Sequence, residues 1–210
     1  MVRTGRPRGF DRNEALHQAM HQFWADGYES SSLAQLKACM GDISAPSFYA
    51  AFGSKEQLFA EVVALYIATH GQVMDSLFDA ALAPRAALEQ ALRASARMQT
   101  GNGHPSGCLL VLSTSLCPPR SPALRQQLLD DRARTGGALL GCVQRAVDSG
   151  ALLASVDTQV LAATFDTFLQ GMTAMARQGV PLATLDAAIS QLLVVWDVHA
   201  GVRVENVDGA

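Results

Sequence analysis

Residues 32–52 read Ser32-Leu33-Ala34-Gln35-Leu36-Lys37-Ala38-Cys39-Met40-Gly41-Asp42-Ile43-Ser44-Ala45-Pro46-Ser47-Phe48-Tyr49-Ala50-Ala51-Phe52. Ser32 and Gln35 have the spacing of a capping box, in which the hydroxyl and the amide each satisfy a backbone N–H at a helix start. A short helix is therefore predicted from Ser32, with Leu33 and Leu36 facing inward and Gly41 as its stop. A second short helix is predicted from Ser44, with Pro46 in the first turn, where its missing N–H has no partner to lose. Two short helices joined by the tight turn Gly41-Asp42-Ile43 form a helix-turn-helix pattern. In that arrangement the second helix enters the DNA major groove, so it needs apolar residues behind and small or polar residues in front. Phe48 and Phe52, four apart, supply the inner stripe, and Ala45, Ser47, Tyr49 and Ala50 remain for the outer face. The competing reading is a helical hairpin within an all-α enzyme or scaffold. Packing alone does not explain a Pro-Ser-Phe-Tyr helix with so few long polar side chains on its outer face.

The flanking sequence extends the pattern. Upstream, Asp11 and Glu14 mark a helix start, with Phe10 placed to staple onto Ala15. Leu16, Met20, Phe23 and Trp24 recur at helical spacing, and Gly27 closes the helix before the apolar anchor Tyr28. Arg3, Arg6, Arg8 and Arg12 form a basic arm, which either meets phosphate or is simply a solvated tail. Downstream, Ser54 and Gln57 predict a helix running through Leu58, Val62, Leu65 and Leu77.

The remainder reads as further helix. Of the 210 residues 49% are hydrophobic and 17% charged, a balance that favours a well-buried chain, and Ala and Leu favour helix over strand. Pro84 opens a helix through Leu88, Ala91, Leu92 and Ala96, which ends before the loop 101–107. A short apolar helix is predicted over Cys108 to Leu116, then helices from Ser121-Pro122 to about Ser149, from Asp157 to Gln178, and from Pro181 to about Val198. The start lacks the apolar run of a signal peptide, and no stretch reaches about 18 uninterrupted apolar residues, so a cytoplasmic protein without a membrane span is expected. Four cysteines without a CxxC pair predict reduced thiols. No phosphate-cradling glycine loop, nucleophile elbow or HExxH pattern occurs, so no catalytic residue, cofactor or metal site is assigned.

The run Ala45-Pro46-Ser47-Phe48-Tyr49-Ala50-Ala51-Phe52-Gly53-Ser54-Lys55-Glu56-Gln57-Leu58-Phe59, with Phe23-Trp24, Gly27-Tyr28 and Ser32-Leu33 before it, resembles the signature of TetR-type transcriptional repressors. The resemblance implies an all-α chain with a three-helix helix-turn-helix DNA-binding domain over 1–56. A helical effector-binding and dimerisation domain comes next over 57–200, with a disordered tail over 201–210. It also implies a homodimer that holds a palindromic double-stranded DNA operator and is released by a small-molecule or electrophile effector. Carried over by position, Ser47 and Tyr49 contact DNA, and Lys55 meets a phosphate at a helix start where free N–H groups and the dipole already favour anions. Ser32 and Ser44 stand at the starts of the two reading helices, and Ala45 and Ala50 bear on sequence preference through thymine methyls. Asp42 departs from the family pattern as one extra residue between Gly41 and Ile43. Inside a helix it would rotate every later residue by about 100°, so the turn is expected to absorb it.

For the body, the last two helices are implied to form the intersubunit bundle. Their stripes over Val160, Leu161, Phe165, Phe168, Met172 and Met175, and over Leu185, Ile189, Leu192, Leu193 and Trp196, read equally as intrachain core, and different faces can serve both. An effector pocket is expected around Cys108, Arg97, Met98, His104 and Phe165. Gly107-Cys108-Leu109-Leu110 is similar to a subgroup in which a cysteine early in the sensing domain reacts with electrophiles or oxidants. A helix start stabilises a thiolate, which is the reactive form, whereas the alternative is a small buried hydrophobe. Cys117, about 180° round the same helix, is not expected to share the pocket.

Overall fold

The computed structural model describes residues 11–116 and 119–200, with Leu116 described by its backbone alone. The expected staple at Phe10, the arm residues Arg3, Arg6 and Arg8, the position of Cys117 and the tail 201–210 lie outside the described residues. Among the described residues all regular structure is helical.

Four helices build the N-terminal head: α1 (Arg12–Asp26), α2 (Leu33–Cys39), α3 (Ala45–Phe52) and α4 (Lys55–Thr69). Each begins where a side-chain oxygen accepts the orphan backbone N–H groups of a first turn: Asp11 for α1, and Ser32, Ser44 and Ser54 for the others. The Ser32–Gln35 box is closed in both directions, at 3.2 and 2.8 Å. Phe23, Trp24, Leu36, Phe48, Phe52, Leu58 and Phe59 share one buried core, so α4 packs as part of the head.

The turn between α2 and α3 does absorb the extra residue. Gly41 and Asp42 adopt consecutive left-handed conformations, φ 87° and 55°. Asp is one of the few residues that tolerate this region. The Ile43 N–H then reaches back six residues to the Lys37 carbonyl at 3.2 Å, and Ile43 still enters the core.

The helix expected to run from Ser54 to Leu77 is shorter. It ends at Thr69, and the chain continues as a 3₁₀ segment over Gly71–Phe78. Within this segment Leu77 enters a second core, where Ser76 Oγ donates to the Ala87 carbonyl at 2.8 Å.

That second core belongs to the body: α5 (Pro84–Gln99), α7 (Pro122–Asp148), α8 (Thr158–Arg177) and α9 (Leu182–His199). Arg85–Asp197 at 2.6 Å and Arg93–Asp186 at 2.7 Å tie α5 to α9. Between α5 and α7 the expected helix from Cys108 is corrected in kind: α6 (Leu109–Val111) is a single α turn, and Leu112–Leu116 is π-wound. Leu109, Leu110 and Leu112 all face the head core.

α9 is long and apolar enough by length and composition to cross a membrane, with mean hydropathy 1.2. Its charged residues Asp186 and Asp197 are the ones that pair with α5.

Candidate DNA interface and effector cavity

On α3 the inner stripe is fully enclosed, Phe48 at 0% and Phe52 at 3% exposure, whereas Tyr49 stands 53% exposed beside exposed Ala50 and half-buried Ala45 and Ser47. Ser44 Oγ accepts the Ser47 N–H at 3.2 Å and pairs with Ser47 Oγ at 2.9 Å. These two hydroxyls thus form one polar corner at the start of the helix. Ser32 occupies the start of α2. Ser54 accepts the Gln57 N–H at the start of α4, where Lys55 is the first helical residue. Lys55 is not a free lysine: its Nζ lies 4.4 Å from the Tyr28 ring centroid, a cation–π contact that holds the ammonium against the head. Burial pushes its pKa down, against the opposing pull of Glu29. All seven sequence-assigned positions therefore fall on the starts of α2, α3 and α4 or on the outer side of α3.

Arg12 behaves differently from an arm residue. It pairs with Glu61 at 2.7 Å, donates to the Ala51 carbonyl and lies over the Phe52 ring. This clamps the end of α3 against α1 and α4. Nothing in residue spacing signals that role, because all its partners lie 39 or more residues away.

A cavity of about 140 Å³ lies between the end of α4, the 3₁₀ segment, α5, α6 and α7. Cys108 and Met98 are in its wall, as are Tyr66, His70, Gln99, Arg132 and Leu169. Cys108 is the N-cap of α6. The Tyr66 hydroxyl donates to its Sγ at 3.2 Å. Tyr66 is itself held well above the usual phenol pKa, first by burial and then by Cys108, so it remains a protonated donor. Arg132, paired with Asp166, and Arg134 set two positive charges against Asp75 and Asp131 in the same wall. The other three expected residues lie elsewhere. Arg97 is exposed at the end of α5. His104 stacks on Trp24 at 4.7 Å, with Nδ1 donating to the Pro105 carbonyl. Phe165 is enclosed in the body core near Trp196. The sequence reading missed Tyr66, His70 and Gln99, because nothing in their spacing shows that helices far apart in the chain leave a gap at that point.

Residues 15–62 match the family model for bacterial regulatory proteins of the tetR family, and residues 84–192 match the tetracyclin repressor-like C-terminal domain. The chain belongs to the TetR family. It is similar to the HTH-type transcriptional repressor ComR of Escherichia coli (strain K12), with 32% identity over 193 residues that cover 91% of each chain. Among solved structures it is similar to the TetR family regulator CifR, crystallised as a cysteine mutant complexed with 26-base-pair operator DNA. The TM-score is 0.82 at 39% identity, covering 91% of this chain and 100% of that one. A second CifR cysteine mutant on operator DNA matches with the same TM-score and coverage at 38% identity. This TetR-family chain is accordingly a DNA-binding transcription regulator, and the relatives it matches are regulators.

Proposed function

We propose that the chain is a homodimeric, effector-released repressor of a palindromic operator, with a DNA-reading head over residues 1–56, α4 packed on that head and leading from it into the sensing body, and cytoplasmic residence. Its DNA contacts are Ser32, Ser44, Ala45, Ser47, Tyr49, Ala50 and Lys55. The observation that carries this reading is α3: an enclosed Phe48–Phe52 stripe behind an exposed face of Tyr49, Ala50 and the Ser44–Ser47 corner. Such a face can approach base edges and phosphates closely, as a groove-reading helix must. The CifR complexes with operator DNA support the same use of this fold. For the dimer, Val160 and Met175 of α8 and Leu182, Val194, Val195 and Val198 of α9 stand exposed while the opposite faces of both helices fill the body core. A second copy of the same surface would cover them, as two-fold symmetry provides.

The effector enters the cavity beside Cys108, either as an apolar ligand or as an electrophile captured by the thiol. Met98 lines the same space. A cavity of about 150 Å³ accommodates a molecule of benzene size, which sets the scale of the ligand. The test compares wild type, Cys108→Ser and Cys117→Ser on DNA from upstream of the coding sequence, titrated with N-ethylmaleimide. Faster alkylation at Cys108 and loss of release in Cys108→Ser alone is the expected outcome. Equal alkylation of the two thiols with normal release from Cys108→Ser rejects the covalent form. A sample that sediments as a monomer at micromolar concentration and ignores this DNA at low salt rejects the repressor reading altogether.

A further inference from the structure

Head and cavity meet at Trp24. This residue lies in the last turns of α1 and is 1% exposed. Three rings from outside α1 hold its indole: Tyr66 edge-on at 4.9 Å, His70 edge-on at 4.9 Å, and His104 stacked at 4.7 Å with 9° between planes. Tyr66 and His70 are also cavity wall. The indole N–H donates to the Gly107 carbonyl at 3.2 Å, one residue before Cys108. The Gly107 N–H in turn donates to the carbonyl of Gln99, another wall residue, at 2.9 Å.

The other half of the connection comes from α8. Its last residue, Arg177, donates to the Ala25 carbonyl at 2.9 Å and to the Trp24 carbonyl at 3.5 Å. The last carbonyls of a helix lack partners within it and carry the negative end of its dipole. α1 has no basic residue in its own last turn, so Arg177 supplies the missing cation from the body. Gly107 fits closely between these parts. Its φ is +85°, and a Cβ there would stand 3.1 Å from both Arg177 Cγ and Thr173 Cγ2. The loop therefore has little room to move toward α8 independently.

The geometry points to Trp24 and Arg177 as the coupling residues through which occupancy of the cavity changes the setting of the DNA-reading head. This rests on the effector reading of the cavity and names how that site is connected to its output. An occupant that displaces Tyr66, His70 or Cys108 moves a close-packed ring cluster that has no slack, and the ring at its centre belongs to α1. Arg177 fixes the end of α1 against α8, so the displacement becomes a tilt of α1 rather than a local adjustment. α1 packs on α2 and α4, and α4 carries α3 with it. Both residues are positioning residues and neither contacts DNA.

The experiment uses the full chain with Cys39→Ser, Cys117→Ser, Cys142→Ala and Trp196→Phe, which leaves Cys108 the sole thiol and Trp24 the sole indole. N-ethylmaleimide is the probe, with operator affinity by fluorescence anisotropy and Trp24 emission as separate readouts. Alkylation is expected to shift Trp24 emission and to weaken operator binding within the roughly 5- to 150-fold range usual for coupled sites. Trp24→Phe, which keeps a ring but loses the N–H, and Arg177→Met, which keeps the aliphatic stem, should each reduce that change to less than about threefold while the unalkylated chains still bind operator. Arg177 is exposed, so its variant tests the inference even if Trp24→Phe folds poorly. Two folded variants that lose operator on alkylation as fully as their parent overturn the coupling. A parent that keeps its operator after alkylation refutes the Cys108 reading instead. Trp24 emission then decides the coupling, a shift supporting it and an unchanged spectrum overturning it.

Discussion

Replacing Lys55 by Ala separates phosphate contact from packing. The ammonium sits at the start of α4 over the Tyr28 ring, and one copy per protomer gives two in the dimer. Each neutralised phosphate contributes about 0.9 to the slope of log affinity against log salt, so two contribute about 1.8, and between about 50 and 200 mM salt the wild type should lose roughly 12-fold more affinity than the variant. The loss should be uniform across operator and random DNA, because phosphates carry no sequence information. Folding should suffer little, since a half-buried cation–π contact such as this contributes on the order of 1 kcal/mol. Tyr28→Leu is the control, because it removes the ring but keeps the charge and should leave the slope unchanged. The assay is anisotropy of labelled operator over a salt series. Parallel lines for wild type and Lys55→Ala would refute the phosphate role, and a loss confined to the operator sequence would assign Lys55 to base reading instead.

Three further outcomes are expected from the geometry. Phe48→Ala opens a cavity behind α3 where nothing is exposed, and should cost about 3–5 kcal/mol in chemical denaturation, with operator binding lost alongside. Asp42→Val places a β-branched residue at φ 55° and should cost about 1–2 kcal/mol, whereas Asp42→Gly should not; equal melting of the two would show that the turn conformation differs from the one described. The Asp197 carboxyl is held below its ordinary value of 3.8 first by its hydrogen bonds from Arg85. Its contribution to stability is therefore fully present above that value and fades as pH falls below it through the folded pKa. Melting curves of wild type and Asp197→Asn should differ near neutral pH and converge in acid, and a gap that persists in acid would remove Arg85–Asp197 as its source.

The starts of the four head helices and the turn between α2 and α3 were legible in the sequence alone. The capping pairs at Asp11, Ser32, Ser44 and Ser54, the stops at Gly27 and Gly41, and the Phe48–Phe52 stripe are interactions between residues two to four positions apart, so spacing along the chain reports them directly. The same locality made the extra residue at Asp42 visible, although only the fold showed two left-handed residues taking it up. Beyond α4, local signals continued to mark helix starts at Pro84, Ser121 and Asp157, but they did not report how a helix is wound once its neighbours demand otherwise. The chain winds as a 3₁₀ segment after Gly71, where Leu77 joins the body core, and as a π segment after Val111, where Leu112 joins the head core. The cavity depended on tertiary structure most of all. His104 and Phe165 were placed near it by sequence proximity and apolar pattern, yet one ring is committed to Trp24 and the other to the body core. Tyr66, His70 and Gln99 line it because α4 and α5 end beside α6, and Trp24 and Arg177 meet although 153 residues separate them. Contacts at that separation leave no period in the sequence, because what brings the residues together is the packing of whole helices.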